Sequence, residues 1–423
     1  MTARIGAGER RGGTPIERAL LLVLWASLLN WLVDLLADRR PILLYDLRER
    51  FDDYFAFILS FTPHERTAPA RWFADRVALS PAPGFPKLAG LEGLPHTALT
   101  NFFVTPLTTS YCLVTAALMR IVDPSLLYMA TLAGLGAYWL HLVRRFGPPG
   151  QRVMLGLLGL LAYPTLQIVT RGNVYAGITA LLVIHAMLLA VRGERPVLAA
   201  VLLGIAVNIR PNAAPFLLPL LALQPRWRHA LIAFGATGAA VLVAGLALAH
   251  RLWPVYTAPT FLAGLGNYHW HYVEHAHGVP YGSSLYGALV MLFGAAPWQE
   301  ATAAAAALAI VAAGTALHLK CPLPPVSLTF LTLAAYTLGS TIIGDYHLLV
   351  FVLPLLVAGE GTRAVTVAQV AAALMLAPKN LGAIDGLSVQ VVLNPLILLT
   401  AAAVVLALEW QARRSPSPRL ALA

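Results

Sequence analysis

The sequence predicts an all-α, polytopic membrane protein, and three observations carry that expectation. Hydrophobic residues fill 58% of 423 positions and charged residues only 11%. Apolar stretches long enough to cross a ~30 Å hydrocarbon core, about 20 residues each, recur along the chain. Short basic loops separate them on one side, while long loops rich in aromatic and ionisable residues collect on the other. A mean hydropathy of +0.72 excludes a water-soluble globule.

The first apolar span, near 19–37, follows a basic lead containing Arg10, Arg11 and Arg18. No clear small-x-small cleavage pattern follows it, so it reads as a retained anchor with a cytosolic N-terminus. Further spans lie near 124–143, 152–170, 174–191, 229–250, 300–318, 325–343, 346–358, 364–378 and 389–409, with two half-length pieces inside 196–224. Between them fall Arg144, Arg145 and Arg152; Arg192 and Arg195; Arg226 and Arg228; Lys320; Arg363; and Arg413 and Arg414. Placing every basic group in the cytosol gives about twelve crossings with both termini inside.

That parity makes three demands. The stretch 102–119 dips into the membrane without crossing, and 284–296 lies along the outer surface. The third is that 196–224 turns back on itself at Arg210-Pro211. Each arm then has about 14 residues and covers about 21 Å, short of the ~30 Å core. Proline disfavours helical geometry in the residue before it, which suits a break at Arg210. An arginine at depth costs several kcal/mol unless it meets a polar cavity or a partner. The competing account is one kinked span with a snorkelling arginine. The expected organisation is a single integral membrane domain, 1–423, whose long external regions 38–123 and 251–299 form its chemical side.

The formal charge of +10 does not indicate nucleic acid, because only three lysines occur and the arginines sit at span ends. Orientation in the membrane and anionic lipid headgroups explain the balance. Cys112 and Cys321 lack the spacing of a zinc site or a disulfide framework.

Chemistry is expected on the external side. Just beyond the first span come Asp46, Arg48, Glu49 and Arg50, then Phe51-Asp52-Asp53-Tyr54. A carboxylate held there against the membrane face can act as general base toward a lipid-borne substrate. A solvated juxtamembrane helix with i, i+4 ion pairs such as Asp46–Arg50 fits equally well. The loop from Asn267 to His277 holds Tyr268, Trp270 and four of the chain's twelve histidines, His271 among them. Metal ligation, aromatic and imidazole contact with a sugar phosphate, and an interfacial aromatic belt all remain open for it. Asp345-Tyr346-His347 opens a late span, and a histidine there can donate to a phosphate oxygen. A plain helix start with Asp345 near its dipole accounts for it as well. Arg171-Gly172-Asn173 ends an earlier span similarly, and a snorkelling arginine accounts for it as well.

Taken together these features resemble the GT-C superfamily of membrane glycosyltransferases, particularly glycosyltransferase family 87. The resemblance rests on Asp52-Asp53-Tyr54 after the first span and on Gly172-Asn173 before another. It rests also on the small-residue run Gly204 to Arg210-Pro211, on Ser283-Ser284-Leu285-Tyr286-Gly287, and on His347. The family commonly has lysine where this chain has Arg210, often reads Trp-x-His-His near the late histidine, and carries a Tyr-Pro-Pro stretch that this chain lacks. The resemblance implies an inverting transfer of a sugar, typically mannose, from a polyprenyl-phosphate donor to a lipid-linked or cell-envelope glycan acceptor. It further implies Asp53 or Asp52 as base and Arg210, His347, Arg171 and His271 on the donor phosphate. Tyr54, Asn173, Trp270, Tyr268 and Ser284 are then expected at the sugar and acceptor, at the non-cytosolic face of the inner membrane. No cofactor is required; a divalent metal is possible chemistry for the histidine run but is not favoured. Two other classes compete: an O-antigen ligase or polymerase, and a secondary transporter with Arg210 in its path. A transporter of that kind is expected to show paired half-helices in both halves of the chain, and only one hairpin is evident.

Overall fold

The computed structural model describes residues 15–36, 105–118, 121–122, 124–224, 226–254, 256–269, 273, 279, 282–341, 343–357, 361–379, 383–384 and 387–414. Their regular structure is helical, apart from one antiparallel pair in which Ala383 faces Ser388 and Ile384 faces Leu387. In chain order the helices are α1 (Pro15–Leu36), α2 (Pro106–Leu118), α3 (Pro124–Phe146), α4 (Arg152–Leu161), α5 (Tyr163–Arg171) and α6 (Val174–Val191). Then follow α7 (Pro196–Ile209), α8 (Leu217–Ala222), α9 (Trp227–Leu252), α10 (Ala258–His269) and α11 (Leu285–Phe293). The last are α12 (Trp298–Lys320), α13 (Pro325–Gly339), α14 (Leu353–Leu356), α15 (Arg363–Met375) and α16 (Gln390–Arg414). Short 3-10 helices, Pro211–Phe216 and Asp345–Val352, run into α8 and α14. Proline opens α1, α2, α3, α7 and α13, where its missing N–H has no helical partner to lose.

Among the described residues, five helices are long and apolar enough to cross a membrane: Leu126–Phe146, Val174–Val191, Trp227–Leu252, Trp298–Lys320 and Gln390–Arg414. A bent pair, Pro149–Leu161 with Tyr163–Val169, makes a sixth and is angled by 44°. The bend falls at Ala162, which is extended, because Pro164 has no N–H to continue the ladder. The described residues therefore support five or six crossings by length, where about twelve were expected. The apolar stretches 325–343 and 364–378 become helices of 15 and 13 residues, about 22 and 20 Å long. In 346–358 the proline at 354 cannot bond Val350, whose carbonyl accepts from Leu353 instead, and the segment tightens to 3-10 spacing.

The bundle has two chemically distinct ends. At one, Arg145 meets Glu194 at 3.2 Å, Arg192 donates to the Phe146 carbonyl at 3.1 Å, and Gln224 donates to the Ala190 carbonyl at 3.1 Å. Lys320 lies over the Trp410 ring at 5.2 Å, and Arg413 reaches the Cys321 carbonyl. The opposite ends of the same helices meet elsewhere. Tyr128 of α3 donates to the Val169 carbonyl, Asn173 caps α6, and Gln390 of α16 bonds Tyr163.

The 196–224 stretch is a helical hairpin. α7 runs 14 residues from Pro196 and stops at Arg210, whose backbone is extended. The chain then returns through 211–222 until Gln224 lies beside Ala190. α2 packs next to the hairpin tip: Thr105 donates to the Ile209 carbonyl at 3.3 Å, and Ser110 to the Gly245 carbonyl at 2.9 Å. A Cβ on Gly245 would lie 2.9 Å from the Leu107 backbone nitrogen, so only glycine permits this close crossing.

Candidate active site

The hairpin tip sets the first part of the site. Gly172 takes a left-handed backbone, φ 76°, which glycine adopts without strain; it ends α5 and lets Asn173 start α6. Asn173 Oδ1 accepts from the Ala176 amide at 3.1 Å and from Arg210 Nη2 at 2.9 Å. The side chain that caps α6 therefore also holds the guanidinium. His347 lies within electrostatic reach of Arg210 and is buried. Its Nδ1 faces the Gly344 carbonyl at 3.2 Å, while its buried Nε2 has no hydrogen-bond partner among the described residues. With Nδ1–H donating to that carbonyl, a neutral imidazole offers Nε2 as acceptor and a protonated one offers it as donor.

The second part is a buried hub on Asp345. Tyr163 donates to Oδ2 at 2.6 Å, Ser283 donates to Oδ1, and Gln390 donates to Oδ2. Asn394 donates to Ser283 Oγ at 2.7 Å, and Gln390 Nε2 also reaches the Tyr163 hydroxyl at 2.7 Å. Arg171 and Lys379 act on the same carboxylate through their charge. Lys379 also closes the end of α15 by donating to the Leu374 and Ala377 carbonyls at 2.7 and 2.8 Å. The hub ties α5, α11 and α16 to the 3-10 turn that presents His347. Asp345→Ala leaves three buried donors unanswered at a cost of about 1–3 kcal/mol each. A large drop in detergent melting temperature is the expected outcome.

Burial holds the Lys379 ammonium down to about 8, against the opposing Asp345 carboxylate. A lysine depressed in the folded state is protonated more in the unfolded chain, so stability rises with pH between its two pKa values. The melting temperature is therefore expected to climb from about pH 8 toward the ordinary lysine value of about 10. Lys379→Met is expected to flatten that climb.

Not every residue singled out in the sequence joins these two parts. Arg171, Asn173, Arg210 and His347 gather at this end of the bundle. Ser284 is committed elsewhere: it caps α11 by accepting from Gly287 and donates to the Thr341 carbonyl at 3.0 Å. Its neighbour Ser283 makes the contact with Asp345. Tyr268 sits in the last turn of α10, but its side chain lies outside the described residues, as do Asp52, Asp53, Tyr54, Trp270 and His271. No group of three or more metal-ligating side chains occurs among the described residues, and most of the run 269–277 falls outside them. Sequence reasoning missed Tyr163, Lys379, Gln390 and Asn394, and it gave the site role in the Ser283–Gly287 element to Ser284 rather than Ser283. The available signal was a pair of amides spaced i, i+4 in an otherwise apolar helix, which reads as one buried polar stripe.

A family model described as glycosyltransferase family 87 matches residues 102–343, more than half of the chain. The chain belongs to glycosyltransferase family 87. Comparison with curated proteins returns no match. This family-87 chain is thus a membrane glycosyltransferase, which acts on a sugar donor and an acceptor. The matched stretch carries Asn173, Arg210 and Ser283 and ends just before Asp345 and His347. Sugar transfer requires that negative charge growing on the leaving group be met by fixed donors. A guanidinium within electrostatic reach of an imidazole whose Nε2 becomes a donor on protonation is chemically suited to that task.

Proposed function

We propose that this protein is an inverting hexosyltransferase that moves a sugar, mannose first among candidates, from a polyprenyl phosphate to a lipid-linked or cell-envelope glycan acceptor. One observation carries the reading: Arg210, fixed by Asn173, lies within electrostatic reach of His347, whose buried Nε2 has no hydrogen-bond partner among the described residues, at the end of the bundle remote from the arginine-rich loops. By the positive-inside rule that end faces the periplasm or exterior of the inner membrane. The donor enters sideways with its tail in lipid, and Arg210 and His347 receive the departing phosphate, with Arg171 and His271 nearby in role. Asp53, or Asp52, takes the proton from the acceptor hydroxyl. Tyr54, Asn173, Tyr268, Trp270 and Ser284 surround sugar and acceptor, Ser284 by shaping the α11 cap. A phosphate leaving group needs no metal for this step, so no cofactor is invoked.

Reconstituted protein given labelled polyprenyl-phosphate mannose and membrane glycolipids tests the proposal. Label is expected on the acceptor with inverted configuration, and transfer is expected to survive exhaustive chelation. Uptake of substrate without covalent transfer overturns the reading in favour of transport, and use of only diphosphate-linked glycans overturns it in favour of a ligase.

A further inference from the structure

At the arginine-rich end of the bundle, guanidiniums from separate loops converge instead of spreading over the surface. Those of Arg145 and Arg192 lie 5.2 and 4.8 Å from the centre of the buried Phe146 ring. Both also approach the Glu194 carboxylate, Arg145 at 3.2 Å and Arg192 at 3.9 Å. The His185 ring meets Phe146 edge-on at 5.7 Å and hydrogen-bonds the Tyr138 hydroxyl through Nδ1. Arg145 and Arg195 both lie within electrostatic reach of that imidazole. Arg195 takes a left-handed backbone, φ 44°, the one non-glycine residue to do so among the described residues. Strain of this kind persists where the surrounding structure over-determines it, and it clusters at binding sites.

Membrane orientation does not ask for this arrangement. The positive-inside rule counts basic residues near span ends and is indifferent to where their side chains meet. Here one guanidinium from before α6 and two from after it stand against a single carboxylate. The ion pairs are 37–42% exposed, and pairs so exposed contribute little. Like charges held this close favour a further anion, and the guanidinium fork matches two phosphate oxygens at once. The surroundings select the anion. Leu140, four positions before Arg144, is 42% exposed, and Val197, two positions past Arg195, is 51% exposed. An anion bound at these helix ends therefore has apolar surface next to it, as a phospholipid requires and a free phosphate does not. We propose that Arg145, Arg192 and Arg195 form a headgroup site for an anionic phospholipid, its phosphate among the guanidiniums and its acyl chains along Leu140 and Val197. The site stands at the end of the bundle opposite Arg210 and His347 and is independent of the donor reading.

The test titrates the full-length protein in neutral detergent with dioleoyl phosphatidylglycerol and, in parallel, with dioleoyl phosphatidylcholine. Bound lipid is counted by native mass spectrometry, and melting temperature is followed beside it. Phosphatidylglycerol is expected to bind more tightly and to raise the melting temperature. Arg145→Gln and Arg192→Gln are each expected to weaken its binding about fivefold, the worth of one basic residue at an anionic lipid surface. Arg195→Gly relieves the backbone strain, so its melting temperature without lipid is expected to hold or rise while phosphatidylglycerol binding still falls. That combination separates a binding role from a structural one. Arg226→Gln with Arg228→Gln removes two cations from another loop at the same end and is expected to leave binding unchanged. Equal binding of the two lipids, or an equal loss per arginine in the 226/228 control, overturns the site. So does Arg195→Gly protein that binds phosphatidylglycerol as wild type does. Displacement of the lipid by millimolar inorganic phosphate overturns the assignment to a phospholipid in favour of a free anion.

Discussion

Asp53→Asn is expected to lower sugar transfer by about 10²–10⁴-fold, the usual contribution of a positioned general base. The amide keeps the shape of the side chain and removes its ability to take a proton. Expression and melting temperature are expected to stay near wild type. Asp52→Asn separates the two neighbours: whichever single variant carries the large loss holds the base. The loss is expected in kcat rather than in donor KM, because the carboxylate acts on the acceptor hydroxyl only as the bond forms. Full activity in both single variants and in the double variant removes the carboxylate pair from the mechanism.

Arg210→Ala is expected to cost about 10²–10³-fold in kcat/KM, the scale seen when one donor to a developing anion is removed. Arg210 also braces Asn173, so the alanine variant alone does not separate charge from support. Arg210→Lys does: it keeps a cation at the hairpin tip and is expected to recover part of the lost activity, less than all because an ammonium lacks the guanidinium fork. If lysine and alanine are equally inactive while the melting temperature is unchanged, a purely electrostatic role is excluded. Single cysteines at 53, 210 and 347 are expected to react with an impermeant reagent from the same face of the membrane. Labelling from opposite faces dismantles the shared site.

The elements most legible in the sequence are those dictated by local chemistry. Arg210-Pro211 announces a break because proline constrains its neighbour and lacks an N–H, and the chain turns there. Gly172-Asn173 announces a helix junction through a left-handed glycine followed by an amide cap. The number of crossings was less legible. Hydropathy joins apolar residues across a break, whereas Ala162 and the 3-10 turn at 345–352 divide or shorten what hydropathy reads as one span. Ser283 and Ser284 show the same limit at the finest scale. Adjacent serines are equivalent as letters, yet one caps a helix and the other grips Asp345.

Residence in a membrane, a helical fold, the gathering of arginines at one end and a turn at Arg210 all follow from residue types and their spacing, because each depends on interactions within a few positions of the chain. The pairing of Tyr163 with Asp345, of Gln390 with Tyr163 and of Arg210 with Asn173 does not. Those contacts join helices remote in the chain, and only the packing of one helix end against another brings their side chains within hydrogen-bond distance. The same packing leaves His347 Nε2 without a hydrogen-bond partner among the described residues, and that atom stands at the centre of the transfer proposed for this glycosyltransferase.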